Sequence, residues 1–339
     1  MPSIRTIHTP DGFRDLYGKV RKEKIQLMGR LEDVFASYGY EDIETPTVEY
    51  FDVFASDIGT TPSNELYKFF DRDGNTLVLR PDFTPSIARA AAMHLPEEAF
   101  PARLSYSGST FVNAAEYQGR LKESTQMGVE LIGDGSADAD AEILSMTADA
   151  LKASGLSEFQ VSVGQVEYFK GIMEAAEVSP DRIEEIRQEI SRKSGFVLGE
   201  LLAEERIDPA IARVLERLPG LFGDAAVLEE AWALAPCARA RAAVEHLKKI
   251  HALLSERGLE RFIGYDFGLL TKYNYYTGII FSAFTYGTGE PVARGGRYDR
   301  LLGHFGREEP AVGFGIYIDQ LRNALARQAQ KQPGHPLKG

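Results

Sequence analysis

The succession of strand-like and helix-like segments predicts an α+β fold, a mostly antiparallel sheet flanked by helices and interrupted by a helical insertion. Three observations predict it. Short β-prone runs separated by turn residues recur up to about residue 169 and again after 260. Apolar residues fall at helical spacing within 21–38. Between them, 170–259 shifts to a Glu, Arg, Ala and Leu composition broken by Ser179-Pro180, Asp208-Pro209, Leu218-Pro219-Gly220 and Ala235-Pro236. The expected division is therefore a discontinuous core of 1–169 and 260–328, an insertion of five or six helices at 170–259, and a mobile tail at 329–339.

Each element has its own local signal. Ile25, Leu27, Met28, Leu31, Val34 and Phe35 make one apolar stripe, and Gly39 suits the end of that helix. A strand is expected over Tyr40–Pro46. Lys68–Asp71 and Thr76–Leu79 flank Arg72-Asp73-Gly74-Asn75, which reads as a hairpin. A helix follows from Ser86 to Met93. Leu104–Phe111 and Thr125–Ile132 read as paired strands joined by a polar loop. Ala137–Ser154 is expected as a helix capped by the Asp-rich run from Asp134, and Phe159–Val163 as a strand. After the insertion come strands at Phe262–Phe267 and Tyr275–Phe284, the latter strongly β-prone, and a last helix at Leu321–Gln328.

Composition narrows the function classes. The 339 residues carry a formal net charge of -12 and a pI near 5.1, which argues against a broad phosphate-binding face, so nucleic acid is not an expected partner. No run of 18 apolar residues occurs and the N-terminus lacks an apolar signal region, so a cytoplasmic, non-membrane protein is expected. Cys237 is the single cysteine, which excludes an intramolecular disulfide and a cysteine-rich zinc site. The histidines lack metal-ligand spacing; His246 and His251, five apart, do not share a helix turn. No Gly-x4-Gly-Lys-Ser/Thr phosphate loop occurs, Gly313-Phe314-Gly315 fits close strand packing, and Ser107-Gly108-Ser109 lacks a nucleophile-elbow context. Neither metal nor cofactor is expected.

One strand carries a pocket-like pattern. In Thr125-Gln126-Met127-Gly128-Val129-Glu130, alternate residues point the same way, so Gln126, Gly128 and Glu130 share a face and the glycine leaves room between two polar arms. A solvent-facing strand with incidental polar residues is the plainer alternative.

These segments together resemble histidyl-tRNA synthetases, over roughly residues 5 to 325. The long helix, strand and proline ending at Pro46 look like motif one of class II synthetases. Gln126 to Glu130 is similar to the run Gln-x-Gly-x-Glu that faces the amino acid. Tyr275-Tyr276 and the run Gly295-Gly296-Arg297-Tyr298-Asp299 resemble further pocket motifs, and Val312 to Gln320 resembles motif three. The resemblance implies a class II aminoacyl-tRNA synthetase-like core. It also has gaps: motif two's Phe-Arg-x-Glu is Phe111-Val112-Asn113-Ala114, motif three's arginine is Gln320, and a histidine-specific arginine and aspartate are Thr271 and Asn274. Two arginine clamps on the ATP phosphates are thus replaced by neutral side chains. Losing one such donor costs roughly 100- to 1000-fold in rate. Beyond one helix and the tail, the anticodon-binding domain of the synthetases is expected to be missing.

Arg80-Pro81-Asp82-Phe83-Thr84-Pro85 and Tyr273-Asn274-Tyr275-Tyr276-Thr277-Gly278 look more like the ATP phosphoribosyltransferase regulatory subunits, paralogues of those synthetases. That resemblance implies a non-catalytic subunit needed for the first step of histidine biosynthesis. It implies a short-form catalytic partner, a homodimer through the motif-one region, and feedback inhibition with histidine as ligand. The candidate histidine-binding residues are Asp82, Gln126 and Glu130 around the α-amino group, Tyr276 and Tyr298 at the side-chain end, with Thr84 and Arg120 nearby. Three readings stay open at this point: a histidine site between the two proteins, a truncated amino-acid-activating enzyme, and a scaffold that senses nothing.

Overall fold

The computed structural model describes residues 8–55, 61–113, 121–270 and 275–331. Along the chain come α1 (Gly18–Ser37), β1 (Glu41–Asp42), β2 (Val48–Tyr50), β3 (Lys68–Phe70), β4 (Thr76–Leu79), α2 (Thr84–His94), β5 (Ala102–Phe111), β6 (Glu123–Ile132), α3 (Ala137–Ala153) and β7 (Gln160–Gln165). There follow α4 (Val166–Ala176), α5 (Pro180–Ser191), α6 (Gly195–Glu204), α7 (Pro209–Arg217), β8 (Phe222–Gly223), α8 (Ala226–Leu234) and α9 (Ala238–Glu256). The chain closes with β9 (Ile263–Asp266), β10 (Ile279–Phe284), β11 (Ala293–Arg297), β12 (Ala311–Tyr317) and α10 (Ile318–Lys331).

The main sheet has nine strands in the order β1-β5-β6-β12-β11-β10-β7-β9-β8, and β2-β4-β3 form a small second sheet. Pairing is antiparallel except at β1–β5 and β7–β9, so the α+β expectation holds. The β5–β6 pair is the longest ladder, running from Ala102 opposite Ile132 to Phe111 opposite Glu123. Period-two alternation gives the sheet two unlike faces. Met127, Val129 and Leu131 of β6 join Val312, Phe314 and Ile316 of β12 in the main core, beneath α1 and α3, with Phe35 edge-on to Phe314. Gln126, Gly128 and Glu130 face the other way. There α2 covers β5 through Phe83, Ile87, Leu104 and Tyr106, and beyond that cover the sheet is left open as a cavity.

Helix α3 is buried nearly all round, because the sheet lies on one side and α9 on the other. The core cluster therefore continues from the sheet into α4–α9 without a break. A buried ion pair lies in it: Arg297 of β11 donates twice to Asp140 of α3, at 2.9 and 2.7 Å, and His246 of α9 lies 2.6 Å from the other Asp140 oxygen.

Several boundaries differ from the sequence expectation. The strand expected over Tyr40–Pro46 shrinks to β1, because the Arg80 guanidinium takes the Thr45 carbonyl at 2.7 Å and so pulls that backbone out of the ladder. The helix cap before α3 is Ser136, which accepts from the Ala139 amide, while Asp134 accepts the Ser136 amide. The strand expected from Tyr275 begins only at Ile279. Tyr275 and Tyr276 leave the ladder because their rings pack edge to face on each other and Tyr275 stacks on Tyr298, 5.7 Å between centroids. Helix α10 begins at Ile318 and extends to Lys331, into the expected tail. Gly39, at φ +81°, ends α1 as its position suggested.

Candidate functional site

The open part of the sheet is a cavity of about 370 Å³, at the small end of the ~300–1,000 Å³ typical of ligand pockets. Asp82, Thr84, Gln126, Glu130, Tyr276 and Tyr298 all line it. Residues far apart in sequence meet here because β6, β12 and β11 are neighbours in the sheet, with the start of α2 closing over them. Arg120, Ala114, Thr271 and Asn274 lie outside the described residues.

The floor is made by glycine. Gly313 of β12 is opposite both Glu130 of β6 and Gly296 of β11. A side chain on Gly313 would run into the Glu130 carboxylate, and one on Gly315 into the Gln126 amide. These glycines therefore give the two polar arms of β6 space to lie over β12, which explains Gly313-Phe314-Gly315 better than close strand packing alone. At Gly296 the vacated space holds the Tyr276 ring. At Gly128 it holds the Tyr106 hydroxyl, which accepts from Gln126 Nε2 at 3.0 Å, so the room between the polar arms is filled by a neighbouring strand.

Glu130 is the electrostatic centre. It is 1% exposed, Thr84 Oγ1 donates to one oxygen at 2.7 Å, and the Tyr298 hydroxyl donates to the other. Burial pushes its carboxyl up to about 8; the two hydrogen bonds oppose that rise and the nearby Asp82 charge adds to it. Burial also raises the Tyr298 hydroxyl well above its ordinary value, with the Glu130 charge as the next cause. Asp82 Oδ1 accepts the Thr84 amide at 3.1 Å at the start of α2, where a negative charge suits the helix dipole. Tyr298 thus lies at the Glu130 end of the cavity.

The sequence reading missed Tyr106, Tyr275, Tyr317 and Arg294, all of which line the cavity. The period-two rule on β11 and β12 would have found Arg294 and Tyr317, while Tyr106 needs the β5–β6 register as well. Tyr106 is opposite Gly128, Arg294 is two residues before Gly296, and Tyr317 is two residues after Gly315. Gln320, at the position of the motif-three arginine, donates its amide to Glu290 at 3.1 Å.

The family profile described as Histidyl-tRNA synthetase matches residues 12–321. The ATP phosphoribosyltransferase regulatory subunit of Acetivibrio thermocellus is 41% identical over 322 residues, 95% of this chain and 77% of that protein. Its counterpart in Thermoanaerobacter pseudethanolicus is 38% identical over 96% of this chain and 84% of its own length. This chain belongs to the family of ATP phosphoribosyltransferase regulatory subunits. A solved member described as an ATP phosphoribosyltransferase regulatory subunit/histidyl-tRNA synthetase, from Bacillus halodurans, superposes with a TM-score of 0.89 at 34% identity, covering 96% of this chain and 84% of that one. The histidyl-tRNA synthetase of Nostoc sp. PCC 7120 matches with a TM-score of 0.80 at 21% identity over 95% of this chain and 76% of that one, a likeness of fold. The family's architecture is therefore that of the class II synthetase core. Among the described residues no helix is long and apolar enough to cross a membrane, and no group of three or more His, Cys, Asp or Glu side chains could hold a metal ion.

Proposed function

We propose that this chain is the non-catalytic regulatory subunit of a cytoplasmic ATP phosphoribosyltransferase, acting in the first step of histidine biosynthesis. In this reading it binds histidine reversibly in the cavity over β6, β12 and β11 and passes that occupancy to a short-form catalytic subunit as feedback inhibition. The observation that carries the reading is the buried Glu130, held by Thr84 and Tyr298 beside Asp82: two carboxylates at one end of a small cavity suit an ammonium group. At the position of the ATP-gripping arginine, Gln320 is spent on Glu290, which favours binding without activation of the ligand. A coupling of about 1–3 kcal/mol between histidine and the partner's working conformation would alter its properties roughly 5- to 150-fold.

A discontinuous core with 170–259 as an insertion is part of the same proposal, as is a homodimer through the motif-one region. The large apolar side chains exposed by Tyr17, just before α1, and by α1, β2 and β3, among them Ile25, Tyr50 and Phe70, support an interface there.

The test is reconstitution. The chain is mixed with a short-form catalytic subunit, and condensation of ATP with phosphoribosyl pyrophosphate is followed with and without histidine. Activity that needs this chain and falls with histidine is the expected result. Activation without any histidine response would leave a scaffold, and histidine-dependent exchange of pyrophosphate into ATP by the chain alone would make it an activating enzyme.

A further inference from the structure

Glu130 and Arg294 flank the glycine floor from opposite sides. Glu130 stands opposite Gly313, Gly313 opposite Gly296, and Arg294 opposite Gly315. Carboxylate and guanidinium therefore rise from strands two columns apart and two residues out of step, a separation of about 12 Å at the backbone, with bare main chain between them. Arg294 is the one exposed residue of β11, whose other members are buried. Its guanidinium reaches the Tyr317 hydroxyl, and its charge acts on the hydroxyls of both Tyr317 and Tyr276 across the cavity. Among the described lining residues the other arginine is committed: Arg187 grips Glu184 through two hydrogen bonds, at 2.8 and 2.6 Å, and donates to the Leu270 carbonyl at 3.0 Å.

A cavity with carboxylates at one wall and a guanidinium at the other is complementary to a zwitterion more than to a simple amine. We infer that Arg294 anchors the carboxylate of the bound ligand and makes the cavity selective for an α-amino acid over the amine or alcohol that shares its side chain. This inference rests on the histidine-sensing reading above and names the group that the neutral residues at the two motif arginines leave unassigned. A planar guanidinium can meet a carboxylate through two parallel hydrogen bonds, and Tyr317 restrains it beside the floor. A pocket that charge-pairs one group of a ligand strongly rejects the analogue lacking that group.

Calorimetry on the full chain with a short-form catalytic subunit present tests it, using histidine and histidine's amino-alcohol analogue as probes. Arg294→Gln is expected to weaken histidine about 10- to 100-fold, the range for one charge-assisted contact, with Arg294→Lys intermediate. The amino alcohol should bind the unaltered chain weakly and be indifferent to either substitution, while thermal unfolding stays unchanged. Histidine binding that is intact in Arg294→Gln overturns this inference and leaves the sensor standing, as does an equal loss for both probes. Absence of histidine binding in every form overturns the sensor reading and this inference together.

Discussion

The Tyr298 hydroxyl donates to Glu130 where both groups are almost entirely buried, at 3% and 1% exposure. The pair holds a carboxyl whose value is pushed up to about 8 by burial, in spite of the hydrogen bonds that favour its ionised form. At neutral pH the empty cavity therefore keeps a large share of Glu130 protonated. A ligand ammonium beside it would favour the carboxylate and release that proton.

The ligand's affinity should accordingly rise with pH up to about 8 and fall by up to tenfold for each unit below it. Calorimetry in two buffers of different ionisation enthalpy would read proton release approaching one per histidine at pH 7. Binding that is flat between pH 6.5 and 8.5, about 1.5 units below and 0.5 above that value, would refute the ammonium assignment for Glu130.

The same carboxyl links stability to pH in the opposite sense. Its folded value lies above the ordinary 4.5, so its contribution to stability is fully present below about 4.5 and is lost as pH rises through about 8. Glu130→Gln removes the group and should flatten that decline, whose slope is at most about 1.4 kcal/mol per pH unit. Denaturant midpoints of the ligand-free chain at pH 5 to 8.5, spanning about three and a half units, check it. Equal pH dependence in the two proteins would contradict the raised value.

Tyr298→Phe keeps the ring that stacks on Tyr275, 5.7 Å away, and deletes the donor. Losing a hydrogen bond to the ionised form moves Glu130 further up, by about one unit for a contact worth roughly 1.5 kcal/mol. The midpoint of the pH–affinity curve should shift up by the same amount, with about tenfold weaker binding at pH 7 and no change at pH 9.5, about one and a half units above the starting value.

Much of the site was legible in the sequence, and the limits have physical causes. Gln126, Gly128 and Glu130 announce a common face because strand alternation is strict, and the β5–β6 hairpin is visible because its two runs are β-prone and close in sequence. The occupant of each gap was not legible. Gly128 promised space for a ligand, yet Tyr106 from the next strand fills it, and only the register shows that. The place of Tyr298 depended likewise on where β11 meets β6 across β12, a relation spanning 168 residues. Strand ends failed where side chains competed for the backbone, as Arg80 does at Thr45.

Arg297 is part of the Gly295–Asp299 run, but it faces away from the cavity into the ion pair with Asp140, at 4% and 0% exposure. Removing Asp140 takes the most buried partner from Arg297 and leaves it the partly exposed Asp299 carboxylate at 3.1 Å, so the cost falls at or below the low end of the about 3–5 kcal/mol for breaking a buried pair. Asp140→Ala should therefore lower unfolding stability by about 2–3 kcal/mol in denaturant titration. Loss of under about 1 kcal/mol would mean the pair is solvated in a way its burial denies.

Restoring the motif-three arginine alone should not restore activation chemistry. In Gln320→Arg the new guanidinium would lie within reach of Glu290, which already accepts from Gln320 Nε2 at 3.1 Å, and a neutralised arginine is a poor phosphate clamp. Tyr317 would still occupy the cavity face of β12, and Val112 would still stand in place of the second clamp. Residues that grip a triphosphate act as a unit, so replacing one member recovers little of the whole. Histidine-dependent exchange of labelled pyrophosphate into ATP is thus expected to stay at background in Gln320→Arg. Exchange rising tenfold or more above background would show that Gln320 was the single barrier and that the surrounding cavity still accommodates the nucleotide.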